Sequence, residues 1–211
     1  MKKVLILLDE VTKSKEIGLF ASAYQIFIRQ NLPVYLIMTG LFENIDALQN
    51  EDNLTFLYRA PKIELKPLNI GSIADSYADT FNLSPAKAKE MAKLTKGYPY
   101  AFQMLGYFTW RNNGDYKASI TPYRRMLEEA AYEKMWSETS PKDKQVMFAI
   151  ANVKSGSTSE IVGFLKFKPN EINQYRKRLT RRGLINGETR GKLTFTLPMF
   201  EEFVLDVYEP E

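Results

Sequence analysis

The chain has 211 residues, 45% of them hydrophobic, and a formal net charge of +4, a balance that supports a packed core and excludes general disorder. Cysteine and histidine are both absent, which removes disulfides, thiolate nucleophiles, the usual zinc ligand and the usual neutral-pH base. Any catalysis must rest on carboxylates, cations, hydroxyls or a carboxylate-held Mg²⁺. No apolar run reaches the roughly 18 residues that span a bilayer, and Asp9-Glu10 ends the opening apolar run with no small-residue cleavage site after it. Neither membrane nor export is expected, and a cytoplasmic location is the simplest expectation.

Val4–Leu8 is a continuous aliphatic run, which predicts a parallel strand covered on both faces. Ile17, Phe20, Ala21, Tyr24, Phe27 and Ile28 recur at helical spacing, and Asn31-Leu32-Pro33 breaks the pattern. Val34–Met38 predicts a second buried strand, residues 41–49 a short helix, and Lys62–Leu65 a third strand stopped by Pro67. Strand, helix, strand at these lengths is a βαβ unit with a parallel sheet. From Asn69 onward the pattern is helical: 69–81, a helix opened by Ser84-Pro85 and ended by Gly97, then 100–110, then Thr121-Pro122 to about Trp136. Ser140-Pro141 opens a helix through Ala151, with Asp143 in its favourable first turn. A short helix over 158–165 and a longer one from Pro169 to Arg182 follow. Residues 184–197 read as a hairpin whose register is open, because Asn186-Gly187 competes with Thr189-Arg190-Gly191 as the turn. Residues 198–207 form a last helix. Helix, helix, helix, hairpin is the winged-helix order.

The chemistry-bearing residues sit at the ends of these elements. Asp9 and Glu10 follow the first strand, and carboxyl ends of parallel strands face the ligand crevice of an α/β sheet. One carboxylate there can hold Mg²⁺ through water; the next can orient or deprotonate an attacking water, an effect of roughly 10²–10⁴-fold in rate. Acids in an ordinary surface turn would look the same. Thr39 ends the second strand, Arg59 precedes the third, and Gly97 with Pro99 punctuates two helices, each also open to a purely structural reading.

In this order the segments resemble an AAA+/STAND-type P-loop ATPase, of the replication-initiator-like group with a C-terminal winged helix. Val4–Glu10 matches Walker B, Val34–Gly40 the sensor 1 strand, Phe56–Leu68 the last core strand and entry to the lid, and Leu94–Gly106 the Gly-x-Pro region of the lid. The resemblance implies an α/β partial parallel sheet, an incomplete P-loop core, over 1–66; an α-helical lid over 67–133; and a winged-helix domain over 134–211. It implies ATP and Mg²⁺ as cofactors, with Asp9 on the metal, Glu10 activating water and Thr39 sensing the γ-phosphate. Arg59 would stabilise charge on the transferring phosphoryl group, and Gly97 and Pro99 would line the lid side of the nucleotide. The departure is large: no Gly-x-x-x-x-Gly-Lys-Ser/Thr occurs in the sequence, and that loop cradles the phosphates. The phosphate loop is therefore expected upstream of Met1 or on a second chain, and this chain alone is expected not to hydrolyse ATP.

Residues 166–192 carry nine basic side chains and two acidic ones, a local excess larger than that of the whole chain. On the longer helix Asn173, Gln174, Arg176, Lys177 and Arg181 would meet DNA, with Arg190 and Lys192 on the wing; a solvated face of a protein-binding winged helix reads the same way. Two functions follow: a nucleotide-driven switch that repositions a DNA-binding winged helix, or a non-enzymatic DNA-binding or interaction module with a vestigial ATPase half. Self-association is a further expectation, because the first helix is rich in apolar surface.

Overall fold

Ser14 starts the first helix: its Oγ accepts the Ile17 N–H at 3.3 Å, and Glu16 lies in the first turn, where the helix dipole favours an acid. That helix, α1 (Lys15–Arg29), connects β1 (Val4–Leu8) to β2 (Val34–Met38). The two strands pair in parallel from Val4↔Val34 to Leu8↔Met38. A computed structural model describes residues 2–168 and 170–209, and the side chains of all of these except Phe42, Glu43 and Asn53.

The chain divides into two units, Met1–Glu64 and Leu65–Glu211. In the first, α2 (Phe42–Gln49) follows β2, and residues Asp52–Arg59 form a 3-10 helix. Ala21 of α1, Leu48 of α2 and Leu54 and Leu57 of the 3-10 helix are buried together, with Ile17 and Met38 packed against them.

Two expectations fail in this unit. The strands were expected to be covered on both faces, but Leu5, Leu7, Tyr35 and Ile37 are 57%, 66%, 52% and 52% exposed. Successive side chains alternate across a strand, so the face bearing Leu8 and Met38 is partly covered and the other is open. A single crossover helix shields only one side of a sheet. Lys62–Leu65 was expected to be a third strand; it pairs with no strand among the described residues, and Ile63 and Leu65 are 88% and 90% exposed. Pro61 and Pro67 flank it and carry no N–H for a ladder.

The second unit is helical apart from one hairpin: α3 (Ile70–Phe81), α4 (Pro85–Lys93), α5 (Pro99–Arg111), α6 (Ile120–Leu127), a π-helical turn Glu128–Tyr132 running directly into α7 (Glu133–Ser137), α8 (Pro141–Asn152), α9 (Thr158–Leu165), α10 (Ile172–Arg181), the strands β3 (Ile185–Asn186) and β4 (Thr194–Phe195), and α11 (Phe200–Val207). Pro169, expected to open the longer basic helix, lies outside the described residues. Ile185 pairs with Phe195 and Asn186 with Thr194, so Asn186 closes β3 while Gly187 and Thr189-Arg190-Gly191 fall in the loop between the strands. An isolated antiparallel bridge joins Ser157 to Lys192.

One apolar core runs through this unit, from Ile73 and Tyr77 of α3 to Phe203 and Val204 of α11. Three buried tyrosines donate to backbone carbonyls: Tyr77 to Phe102 at 2.7 Å, Tyr123 to Leu94 at 3.0 Å and Tyr132 to Pro198 at 2.6 Å. A buried phenol without such a partner is costly. Burial disfavours the phenolate and pushes all three hydroxyls above their ordinary range. Among the described residues no helix is long and apolar enough to cross a membrane.

Asp143 fixes α8 against α10. Its side chain is only 3% exposed. It accepts from Arg178 Nε at 2.8 Å and Nη2 at 2.7 Å, and from Ser140, the N-cap of α8, at 2.8 Å. Removing the arginine strands a buried carboxylate, whereas removing the acid leaves an arginine that is half exposed and can turn to water. Arg178→Ala is expected to lower unfolding free energy by about 3 kcal/mol and Asp143→Ala by about 1–2 kcal/mol; urea denaturation of both variants reads the order.

Candidate functional site

Parallel, in-register pairing places the residues that follow β1 and β2 side by side. Thr39 Oγ1 donates to Asp9 Oδ1 in a short hydrogen bond. The Glu10 N–H approaches both Asp9 Oδ1, at 3.1 Å, and Thr39 Oγ1, at 3.4 Å. Glu10 itself has φ +51°, a left-handed conformation that costs a non-glycine residue of order 1 kcal/mol or more. The bend here leaves Glu10 as an extra residue, so that the Val11 N–H continues the ladder by donating to the Thr39 carbonyl at 2.8 Å and the Val11 side chain is buried. Gly40, which the sequence pattern did not single out, permits the close approach of Val11. A Cβ built there would lie 2.8 Å from the Val11 carbonyl oxygen. The available signal was a glycine placed directly after the strand-ending threonine.

Asp9, Glu10 and Thr39 are all exposed. Two adjacent carboxylates and a hydroxyl suit the water-mediated side of a Mg²⁺ site. Among the described residues no three Asp or Glu side chains gather to hold a metal directly, and no phosphate-cradling loop occurs in the sequence. The donor set thus fits the metal-facing half of a nucleotide site and lacks the phosphate-gripping half. Arg59 closes the 3-10 helix instead of preceding a strand, and it is exposed. Among the described residues it forms no ion pair with Asp9 or Glu10.

Gly97 and Pro99 lie in the second unit. Gly97 has φ +77°, and an added Cβ would fall 2.5 Å from the Leu68 carbonyl oxygen. The Leu68 N–H donates to the Gly97 carbonyl at 2.8 Å, so the Pro67-Leu68 junction seats directly on this turn. Pro99 is the first residue of α5, where its missing N–H costs nothing. Lys96, also at positive φ, reaches the hairpin: its Nζ donates to the Phe195 carbonyl at 3.1 Å. Burial lowers the proton affinity of this ammonium, while Glu202 and Glu201 pull in the opposite direction.

Helix α10 buries Ile172, Tyr175 and Leu179. Asn173, Gln174, Lys177 and Arg181 are exposed on the opposite face, and Arg190 and Lys192 are exposed in the hairpin loop. Arg176 does not share that freedom: it is half-buried and donates to the Gly187 carbonyl, tying the helix to the hairpin. Arg178 is committed to Asp143, and Arg182 donates to Thr139 Oγ1 at 3.0 Å. Of the four arginines in 176–182, only Arg181 is free of such a bond among the described residues. Net charge could not show this, because the partners lie far away in sequence.

Comparison with known proteins adds one similarity. Residues 129–204 match a family model described as "Domain of unknown function (DUF8462)"; the match begins within the π-helical turn and ends in α11. No curated protein and no solved structure matches the chain.

The Gly40 contact is testable without a ligand. Gly40→Ala forces the Val11 carbonyl away from the strand ends, with an expected cost of about 1–3 kcal/mol, the range for overpacking a close contact. Faster amide exchange at Val11 and Thr39, with the second unit unchanged, is the expected readout.

Proposed function

We propose that this chain carries the Walker B and sensor 1 side of an AAA+/STAND-type ATPase site, linked through a helical lid to a DNA-binding winged helix. The observation that carries the reading is the Asp9–Thr39 pair at the carboxyl ends of two parallel strands joined by one crossover helix. In that setting Asp9 would hold hydrated Mg²⁺ and Glu10 would face the attacking water, held by its strained backbone. Thr39 would keep the Asp9 carboxylate in place through its hydroxyl, while Arg59, Gly97 and Pro99 keep the phosphate-facing and lid-side roles implied by the resemblance. Mg²⁺ neutralises charge on the phosphates when bound. The phosphate loop must come from outside these 211 residues. Purified chain is expected to bind ATP at about 1 mM or weaker and to release no phosphate. Micromolar ATP binding with turnover by this chain alone would refute the incomplete-site reading.

For the second unit, the order α8, α9, α10, hairpin and the exposed face Asn173, Gln174, Lys177, Arg181 support DNA binding through a winged helix. Six cations in this stretch are exposed and make no ion pair among the described residues: Lys166, Lys168, Lys177, Arg181, Arg190 and Lys192. If all six meet phosphates, the logarithm of affinity falls with the logarithm of salt at a slope of about −5. Lys177→Ala should weaken binding to all duplex sequences alike and reduce the slope by about 1. A flat salt response, measured by fluorescence anisotropy, would instead favour the alternative of a protein-interaction module whose ATPase half is vestigial.

A further inference from the structure

Strand β1 has a partner on one side only. Its other edge pairs with nothing among the described residues, and Val4, Leu5 and Leu7 along it are 49%, 57% and 66% exposed. An apolar edge strand is a template for pairing with another chain, which proteins usually block with proline, a bulge or a mid-strand charge. Val4–Leu8 has none of these. Its charges stand at the two ends and are opposite in sign: Lys2 and Lys3 before the strand, Asp9 and Glu10 after it, all exposed. The edge of β2 has no such polarity, being preceded by Pro33 and followed by Thr39-Gly40.

That polarity selects a partner and a register. A parallel copy of β1 would set lysines beside lysines and acids beside acids. An antiparallel copy centred on Ile6 sets Lys3 opposite Asp9, Val4 opposite Leu8 and Leu5 opposite Leu7, with every pair on a matching face of the pleat. Opposite charges and apolar residues placed directly across an antiparallel pair are both stabilising. A slip of two residues leaves Lys3 facing an aliphatic side chain. Thr39 and the Glu10 N–H both engage Asp9 Oδ1, and Oδ2 accepts no hydrogen bond among the described residues, so the carboxylate retains an oxygen for a lysine.

We propose that this chain forms a two-fold symmetric dimer through antiparallel pairing of its β1 edges, giving a four-stranded sheet in the order β2-β1-β1-β2. The gain is physical: a lone two-stranded sheet is marginal, whereas three or more strands sustain an apolar face. The interface is closed, because the same edge serves both copies. It is also smaller than a standard protein interface, which makes association concentration-dependent. The dimer requires no nucleotide.

The absence of cysteine makes the register directly testable. Chains bearing Leu5→Cys and Leu7→Cys are prepared separately, mixed and oxidised. In the proposed register these two positions face each other with Cα atoms about 4.5–5.5 Å apart, within disulfide reach. Like positions are offset by about 7–8 Å or more. The mixture is expected to cross-link several-fold faster than either chain alone. Independently, Lys3→Glu and Asp9→Lys chains should each lose self-association at least about tenfold by sedimentation. An equimolar mixture of the two should recover it, since both end pairs are again opposite in sign. A native chain that stays monomeric at about 100 µM, or cross-linking without preference for the mixed pair, overturns the proposal.

Discussion

Hydrogen-bond register between two five-residue strands is the constraint on which the first unit depends. Because Leu8 stands opposite Met38, Asp9 and Thr39 must emerge together, and one hydroxyl can then hold both a carboxylate and the next backbone N–H. The strained turn at Glu10 follows from the same alignment. One residue has to bulge out of the ladder for Val11 to reach the Thr39 carbonyl and be buried. Gly40 removes the side chain that would block it.

The second unit is held differently. Its apolar core is continuous from α3 to α11, and long-range polar bonds fix the positions of elements that apolar packing alone would leave interchangeable. Tyr123 reaches the carbonyl at the end of α4, Tyr132 a carbonyl just before α11, and Arg178 the buried Asp143 of α8. Each joins segments at least 29 residues apart. These bonds also decide which cations of the basic helix remain available. Arg176, Arg178 and Arg182 stabilise the fold, while Lys177 and Arg181 look outward.

Elements with strong local signals were legible in the sequence. Ser14, Asn69 and Ser140 cap helices through their side chains, and Pro85, Pro99 and Pro141 each open one. The pairing of the two aliphatic runs and the presence of a hairpin could likewise be read from local pattern. Strand coverage could not, because an aliphatic run states only that burial would be favourable and not that a neighbour exists to provide it. Lys62–Leu65 failed for the same reason: its alternation suits a strand, but a strand exists only in a ladder. At the candidate site, the side-by-side placement of Asp9 and Thr39 follows from the βαβ pattern, whereas the roles of Gly40 and Arg176 depend on contacts that no local pattern encodes.

The π-helical turn Glu128–Tyr132 lets the helical run from Ile120 to Ser137 carry one extra residue. Tyr123 and Leu127 are buried four residues apart, but the next fully buried position is Tyr132, five residues on. A π turn takes in one more residue than an α turn, and each residue rotates a helix by about 100°. The wider turn therefore absorbs the fifth residue and keeps Tyr132 on the buried face of Tyr123 and Leu127, against Phe200, with Trp136 against Phe203. Loss of a single residue from this turn would set the tyrosine four residues after Leu127, the ordinary α-helical spacing, and leave a smoother helix with the same rings facing inward. Related chains should accordingly tolerate loss of one residue at the exposed Glu129 or Ala130 far better than a second insertion there.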